Sequence, residues 1–196
     1  MTDLLSFHRR TMTYAASIVD LVEPGQLGLA TPCEAWDVGA LLAHMTGQNR
    51  GFAAAARGEA FDPATWAELP VVAGDFTASA NEVVAAFNAE GALDRTWSLL
   101  AGLDREVRVP GATALGYHFI DYVVHAWDLG VAIGHRVEFD PELLEAVVPL
   151  AFDVPLDGPS RNGPYAPFAA AVPAIPDSGP LEVLLAVLGR DPSWRP

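Results

Sequence analysis

The chain has 196 residues and a mass of 20.8 kDa, room for one substantial core, so a single domain over 1–196 is expected. Its formal net charge is −14, from 25 acidic residues against 11 basic ones, and every basic residue is arginine. So acidic a surface repels phosphate backbones and anionic lipid, which argues against nucleic acid or a membrane as partner.

The N-terminus carries no basic segment ahead of an apolar core, and no later run approaches about 18 uninterrupted apolar residues, so a soluble, cytoplasmic protein is expected. Leu4, Phe7, Thr11, Tyr14, Ile18 and Val22 recur at spacings of three and four, which predicts a helix over 3–22 that Glu23-Pro24-Gly25 ends. His8 lies near this stripe and reads as a hydrogen-bonded imidazole at a helix edge. Asp37 caps a second helix over 37–57, in which Val38, Leu41, Leu42 and Met45 keep the helical period and Arg57-Gly58 is the stop. Just before it stands Cys33, the only cysteine, which leaves no intrachain disulfide and fits a reducing compartment. Its plainest role is a small buried core residue. His44 falls within the second helix and by itself reads as a satisfied core histidine. Residues 59–74, with Pro63, Pro70 and Gly74, read as a connecting loop. Phe76, Val83, Val84 and Phe87 mark a third helix over 75–90. Val107 and Val109 alternate with Glu106 and Arg108, which predicts a strand and a small hairpin within 95–109. Pro110-Gly111 turns the chain into a helix over 112–133. Asp140-Pro141-Glu142 starts a fifth through about Phe152. Residues 153–180, rich in Pro and Gly, read as a wrapping loop, and 181–188 as a short final helix. The expected fold is mainly all-α, a four-helix bundle with a short β-hairpin and a loop-rich C-terminal segment.

The helix over 112–133 concentrates the chemistry. Asp121 and His125 are four residues apart, so they stand on one face about 6 Å apart along the axis, within reach of one cation. His118, three residues before Asp121, shares an arc of roughly 60° with them. Their neighbours Phe119, Ile120, Val123, Val124 and Trp127 are apolar, so the helix is buried and its polar groups need partners, of which a metal is one. With His44 the pair makes a set of two histidines and one carboxylate, which leaves coordination positions open to water or substrate. His118 is displaced from His125 by about 10 Å along the axis, long for two imidazoles on one ion, and is read as a group behind the ligands or in the pocket wall. Trp127 is read as packing, and Asp128 as bonded to a backbone group or an arginine.

Thr31-Pro-Cys-Glu-Ala-Trp-Asp-Val38, Leu42-Ala-His44, Asp121-x-x-x-His125-Ala-Trp-Asp-Leu129 and Leu188-Gly-Arg-Asp-Pro-Ser-Trp194 together resemble the metal-binding family related to the N-terminal domain of mycothiol-dependent maleylpyruvate isomerase, within the DinB-like superfamily. The resemblance implies a DinB-like four-helix bundle with one divalent ion between helices, zinc first and nickel or iron as alternatives. Its pattern of one histidine on the second helix and a carboxylate-x-x-x-histidine on a later one falls on His44, Asp121 and His125. The acidic position is Asp121 where the isomerase pattern has Glu, a shorter reach. The sequence ends without the extra domain of the isomerase, so maleylpyruvate as substrate does not follow from the resemblance. The activity implied is a metal- and low-molecular-weight-thiol-dependent transfer or isomerisation of a small electrophile, with mycothiol or a similar thiol as cosubstrate. Gln48, Arg50 and His118 are the residues expected around the pocket. Arg50 either clamps a carboxylate or the charged part of the thiol, or makes a surface salt bridge. The alternative is a non-catalytic small-ligand-binding module with a structural or vacant metal site, because no base or nucleophile beyond the three ligands stands out. A homodimer is compatible with the sequence.

Overall fold

The structure, a computed structural model, describes residues 2–102, 104–158, 161, 166–173 and 177–196. Among the described residues six α-helices and one hairpin follow in the order expected: α1 (Thr2–Val19), α2 (Val38–Arg57), α3 (Asp75–Phe87), β1 (Thr96–Ala101), β2 (Arg105–Pro110), α4 (Gly111–Ala132), α5 (Pro141–Phe152) and α6 (Pro180–Val187). The parts of the expected 153–180 loop at 159–160, 162–165 and 174–176 lie outside the described residues. Among the described residues no helix is long and apolar enough to cross a membrane.

α1 and α2 each pack against both α3 and α4, which closes a four-helix bundle. Its interior is filled by Met12, Ile18, Leu41, Met45, Phe76, Phe87, Leu115 and Phe119, all nearly or fully buried, because each stripe leaves water only by facing the others. α4 is buried almost all round: α1 and α2 cover it on the bundle side, and the hairpin and α5 on the other. α1 is turned by about one position from the expected stripe. Its buried face is His8, Thr11, Met12, Ala15 and Ile18, while Phe7 and Tyr14 are only half-buried. Beyond Val19 its bonding tightens to the three-residue spacing, Leu21 to Ile18 and Val22 to Val19, so the helix ends sooner than the pattern suggests.

Two local devices position the site. Asp37 caps α2 by accepting from the Ala40 N–H at 2.8 Å, which fixes where His44 emerges. Further along α2, Gly47 and Gly51 let the 59–74 connection come in close. A Cβ on Gly51 would lie 2.1 Å from the Trp66 ring, and one on Gly47 2.8 Å from the Trp66 carbonyl oxygen. The connection docks through a 3-10 turn, Pro63–Trp66, that buries Trp66 on α2. The antiparallel hairpin pairs Trp97 with Val109 and Leu99 with Val107 and lies over α2 and α4, with Trp97 donating to the Ala92 carbonyl at 2.9 Å. After α6, Gly189 takes a left-handed φ of 79°, and the Arg190 N–H reaches back to the Leu185 carbonyl at 2.8 Å. This Schellman-type stop turns Arg190 inward.

Candidate metal centre

His44 on α2 and Asp121 and His125 on α4 meet where the two helices pack. One ligand atom from each lies within 4.8 Å of the other two, and no other group of three or more such side chains occurs among the described residues. Their separation fits a small cation after closure of roughly half an ångström: three atoms up to 4.8 Å apart share a point at most about 2.8 Å from each, against about 2.0–2.2 Å for zinc bonds. The donors, two imidazoles and one carboxylate, suit zinc, nickel or iron better than calcium or magnesium.

Each histidine is held from behind by a carboxylate. His44 Nδ1 lies 2.7 Å from Glu68 Oε1, and His125 Nδ1 lies 3.0 Å from Asp128 Oδ2. A carboxylate on Nδ1 fixes the tautomer with the proton on that nitrogen and leaves the Nε2 lone pair for a metal. Asp128 is itself pinned: the Arg190 guanidinium donates to its two oxygens at 3.1, 3.2 and 3.2 Å, and both side chains are buried. Trp36 stacks on His44, ring centres 4.2 Å apart, and meets His125 edge-on at 5.6 Å, which shields the pair from water. Trp36 is placed by Thr31, whose hydroxyl lies 2.8 Å from the Trp36 carbonyl oxygen.

Electrostatically the cluster is built for positive charge. Burial pushes the His125 imidazole down, but Asp121 and Asp128 more than reverse this and raise it to about 9. Burial likewise pushes Asp121 up, and the charge and hydrogen bond of His125 overcome it and draw the carboxyl down to about 2. The two side chains meet at 3.2 Å, so with no ion bound a proton on His125 Nε2 stands where the cation would. Burial also acts against Arg190, yet Asp128 raises it. Glu68 is lowered, first by its hydrogen bond with His44.

His118 and Arg50 do not join this arrangement. One turn before Asp121 the face of α4 meets α1 and α3, and there His118 Nδ1 pairs with His8 Nε2 at 2.9 Å while its ring stacks on Tyr122 at 4.3 Å. His118 is therefore a core group rather than a pocket wall, and its partner His8 is fully buried, not at a helix edge. Burial keeps both neutral, His118 at about 3 and His8 well below its usual range, the latter lowered further by His118. Arg50 points to the α2–α3 side, 3.7 Å from Asp75, the surface salt bridge of the two expected roles. Gln48 does line a cavity of about 690 Å³ together with Asp121, Phe52 and Trp66. Cys33 is half-buried in the loop before α2 rather than in the core, and burial pushes its thiol up. Asp128 has the arginine partner expected of it. Glu68, Trp36 and Arg190 are the contributors that residue spacing does not reveal. Trp36 and Arg190 lie within the quoted family motifs, and the close approach of Glu68 is marked only by the Gly47/Gly51 pair.

Residues 8–130 match the family described as the mycothiol maleylpyruvate isomerase N-terminal domain. Two uncharacterized proteins of Mycobacterium tuberculosis, from different strains, are each 35% identical to the chain over 188 residues, 96% of its length and 98% of theirs. The crystal structure of the mycothiol-dependent maleylpyruvate isomerase is similar with a TM-score of 0.57 at 20% identity, and that of a histidine-to-alanine mutant with 0.58 at 19%. Both likenesses cover 78% of this chain and 68% of the isomerase chain, and they carry the fold alone.

Proposed function

The chain belongs to the family of the mycothiol maleylpyruvate isomerase N-terminal domain, and on that footing we propose that it is a divalent-metal-dependent enzyme using mycothiol or a similar small thiol to transfer or isomerise a small electrophile. The ion's protein ligands are His44, Asp121 and His125. The observation that carries this reading is that both histidines turn Nδ1 to a carboxylate, Glu68 or Asp128, which leaves Nε2 as the donor. When bound, the ion, zinc first with nickel or iron as alternatives, supplies a Lewis acid that lowers the pKa of a thiol or water, or polarises a carbonyl.

The chain's own residues prepare that chemistry. Glu68 and Asp128 orient the imidazoles, Arg190 holds Asp128 in place, and Trp36 covers the face of the His44 ring. Asp121 belongs to both the cluster and the adjoining cavity, so a molecule in the cavity would lie beside one of the residues that would hold the ion. A small molecule is the partner in this reading, and the acidic surface disfavours nucleic acid and anionic lipid.

Metal analysis of protein purified without a histidine tag tests it. About one equivalent of divalent ion is expected, lost in His44→Ala and His125→Ala, with metal-dependent consumption of a small thiol in the presence of an electrophile. Equal metal content in wild type and His125→Ala refutes the ligand set. The second reading, a non-catalytic binding module, is favoured by the closure of Asp121 on His125 at 3.2 Å, which satisfies the pair without an ion. Metal-loaded protein that binds small molecules but consumes no thiol decides for it.

A further inference from the structure

The cavity beside Asp121 is apolar to a degree that restricts what it takes. The hairpin contributes Leu99, Val107 and Val109, and the bundle adds Phe52, Trp66 and Ile120. Asp121, Asp153 and Arg105 are its charged residues among those described. A dicarboxylate or a sugar held here would leave polar groups unpaired, whereas an alkyl or aryl body and these walls both lose water favourably. At about 690 Å³ the space suits one molecule of drug-like size. Arg105, at the start of β2, makes no ion pair among the described residues and is the cavity's one cation among them. The rim is apolar as well: Tyr117 is 49% exposed, and Phe152 and Leu156, at 58% and 66%, flank the lining segment 153–155.

We propose that this cavity binds an aryl or alkyl monocarboxylate, its carboxylate paired with Arg105 and its apolar body against the hairpin and Trp66. Its far, reactive end lies beside Asp121. This names the class of electrophile for the function proposed above and rests on that reading for its chemistry; binding itself does not require the metal.

Calorimetric titration of the full chain, freed of metal by chelator, with straight-chain monocarboxylates from hexanoate to decanoate tests it, with maleate alongside. Affinity is expected to rise about three- to fourfold per added methylene, and maleate to give no binding heat. Arg105→Gln weakens decanoate about fivefold and keeps the chain-length slope. Val107→Trp, which fills the space from β2, abolishes binding with an unchanged helical melt. Affinity independent of chain length, maleate binding as well as decanoate, or no loss in Arg105→Gln overturns the proposal, and none of these needs Val107→Trp to fold. Metal uptake is read separately, so the cavity and the metal centre can each fail alone.

Discussion

Replacing Asp128 by asparagine keeps the size of the side chain and removes the charge that links Arg190 to His125. Asp128 is 0% exposed and Arg190 5%, so the guanidinium would be left buried without a counter-charge. Breaking a buried pair in this way costs about 3–5 kcal/mol. The second effect falls on the metal. Without the carboxylate on Nδ1 the His125 ring is free to change tautomer and its basicity falls, which lowers metal affinity roughly 10- to 100-fold, or about 1.4–2.7 kcal/mol. Denaturant unfolding of the metal-free protein measures the first effect and chelator competition with zinc the second. The two separate in Asp128→Asn combined with Arg190→Met. That variant lacks the stranded charge, so stability recovers, whereas zinc affinity stays low. Wild-type zinc affinity in Asp128→Asn would refute the reasoning, since it would mean that His125 needs no carboxylate behind it.

Other outcomes follow from the same contacts. His118 and His8 are buried neutral, and a group whose folded pKa is depressed in this way destabilises the fold once the unfolded chain, at about 6.5, begins to take up protons. From pH 6.5 to 5 His118 alone costs about 2 kcal/mol, His8 adds to it, and His118→Phe flattens the slope in denaturant unfolding; equal wild-type stability at both pH values sinks the idea. The His125–Asp121 pair has the opposite sign on the alkaline side. Its contribution is complete between the unfolded pKa values of about 3.9 and 6.5, fades as pH rises through about 9 and is lost in acid as pH falls through about 2. Because zinc must displace the His125 proton, its apparent affinity should rise about tenfold per pH unit up to about pH 9, measured by competition, and a flat profile would exclude His125 as a ligand. Chelation should lower the thermal midpoint but leave the helical signal at room temperature, the stabilisation being about 2.7 kcal/mol at a hundredfold excess over Kd. Loss of that signal would make the ion structural.

Periodicity carried the sequence reading a long way where the structure is local. The six helices and the hairpin stand where apolar spacing, caps and the alternation of Val107 and Val109 place them. Asp121 and His125 are neighbours by helix geometry alone. α1 is the exception, because its buried face includes the polar His8, which an apolar stripe passes over, and leaves Phe7 and Tyr14 only half-buried. The same bias left His118 beside the candidate ligands, although azimuth alone does not tell which helix faces it at that level. Glu68 and Arg190 are reached only through tertiary docking, 24 residues from His44 and 62 from Asp128, and no periodicity spans such separations.

The glycine pair on α2 ties two properties together that a designer would wish to vary apart. Trp66, which fills the room left by Gly51, is at once a wall of the cavity and, two residues on, the approach to Glu68 and its hold on His44. Any side chain at Gly51 would therefore reshape the volume offered to a ligand and loosen the imidazole it faces in the same step. The shape of the cavity and the hold on the His44 imidazole share one stretch of sequence, and a variant chosen for one has to be read for both.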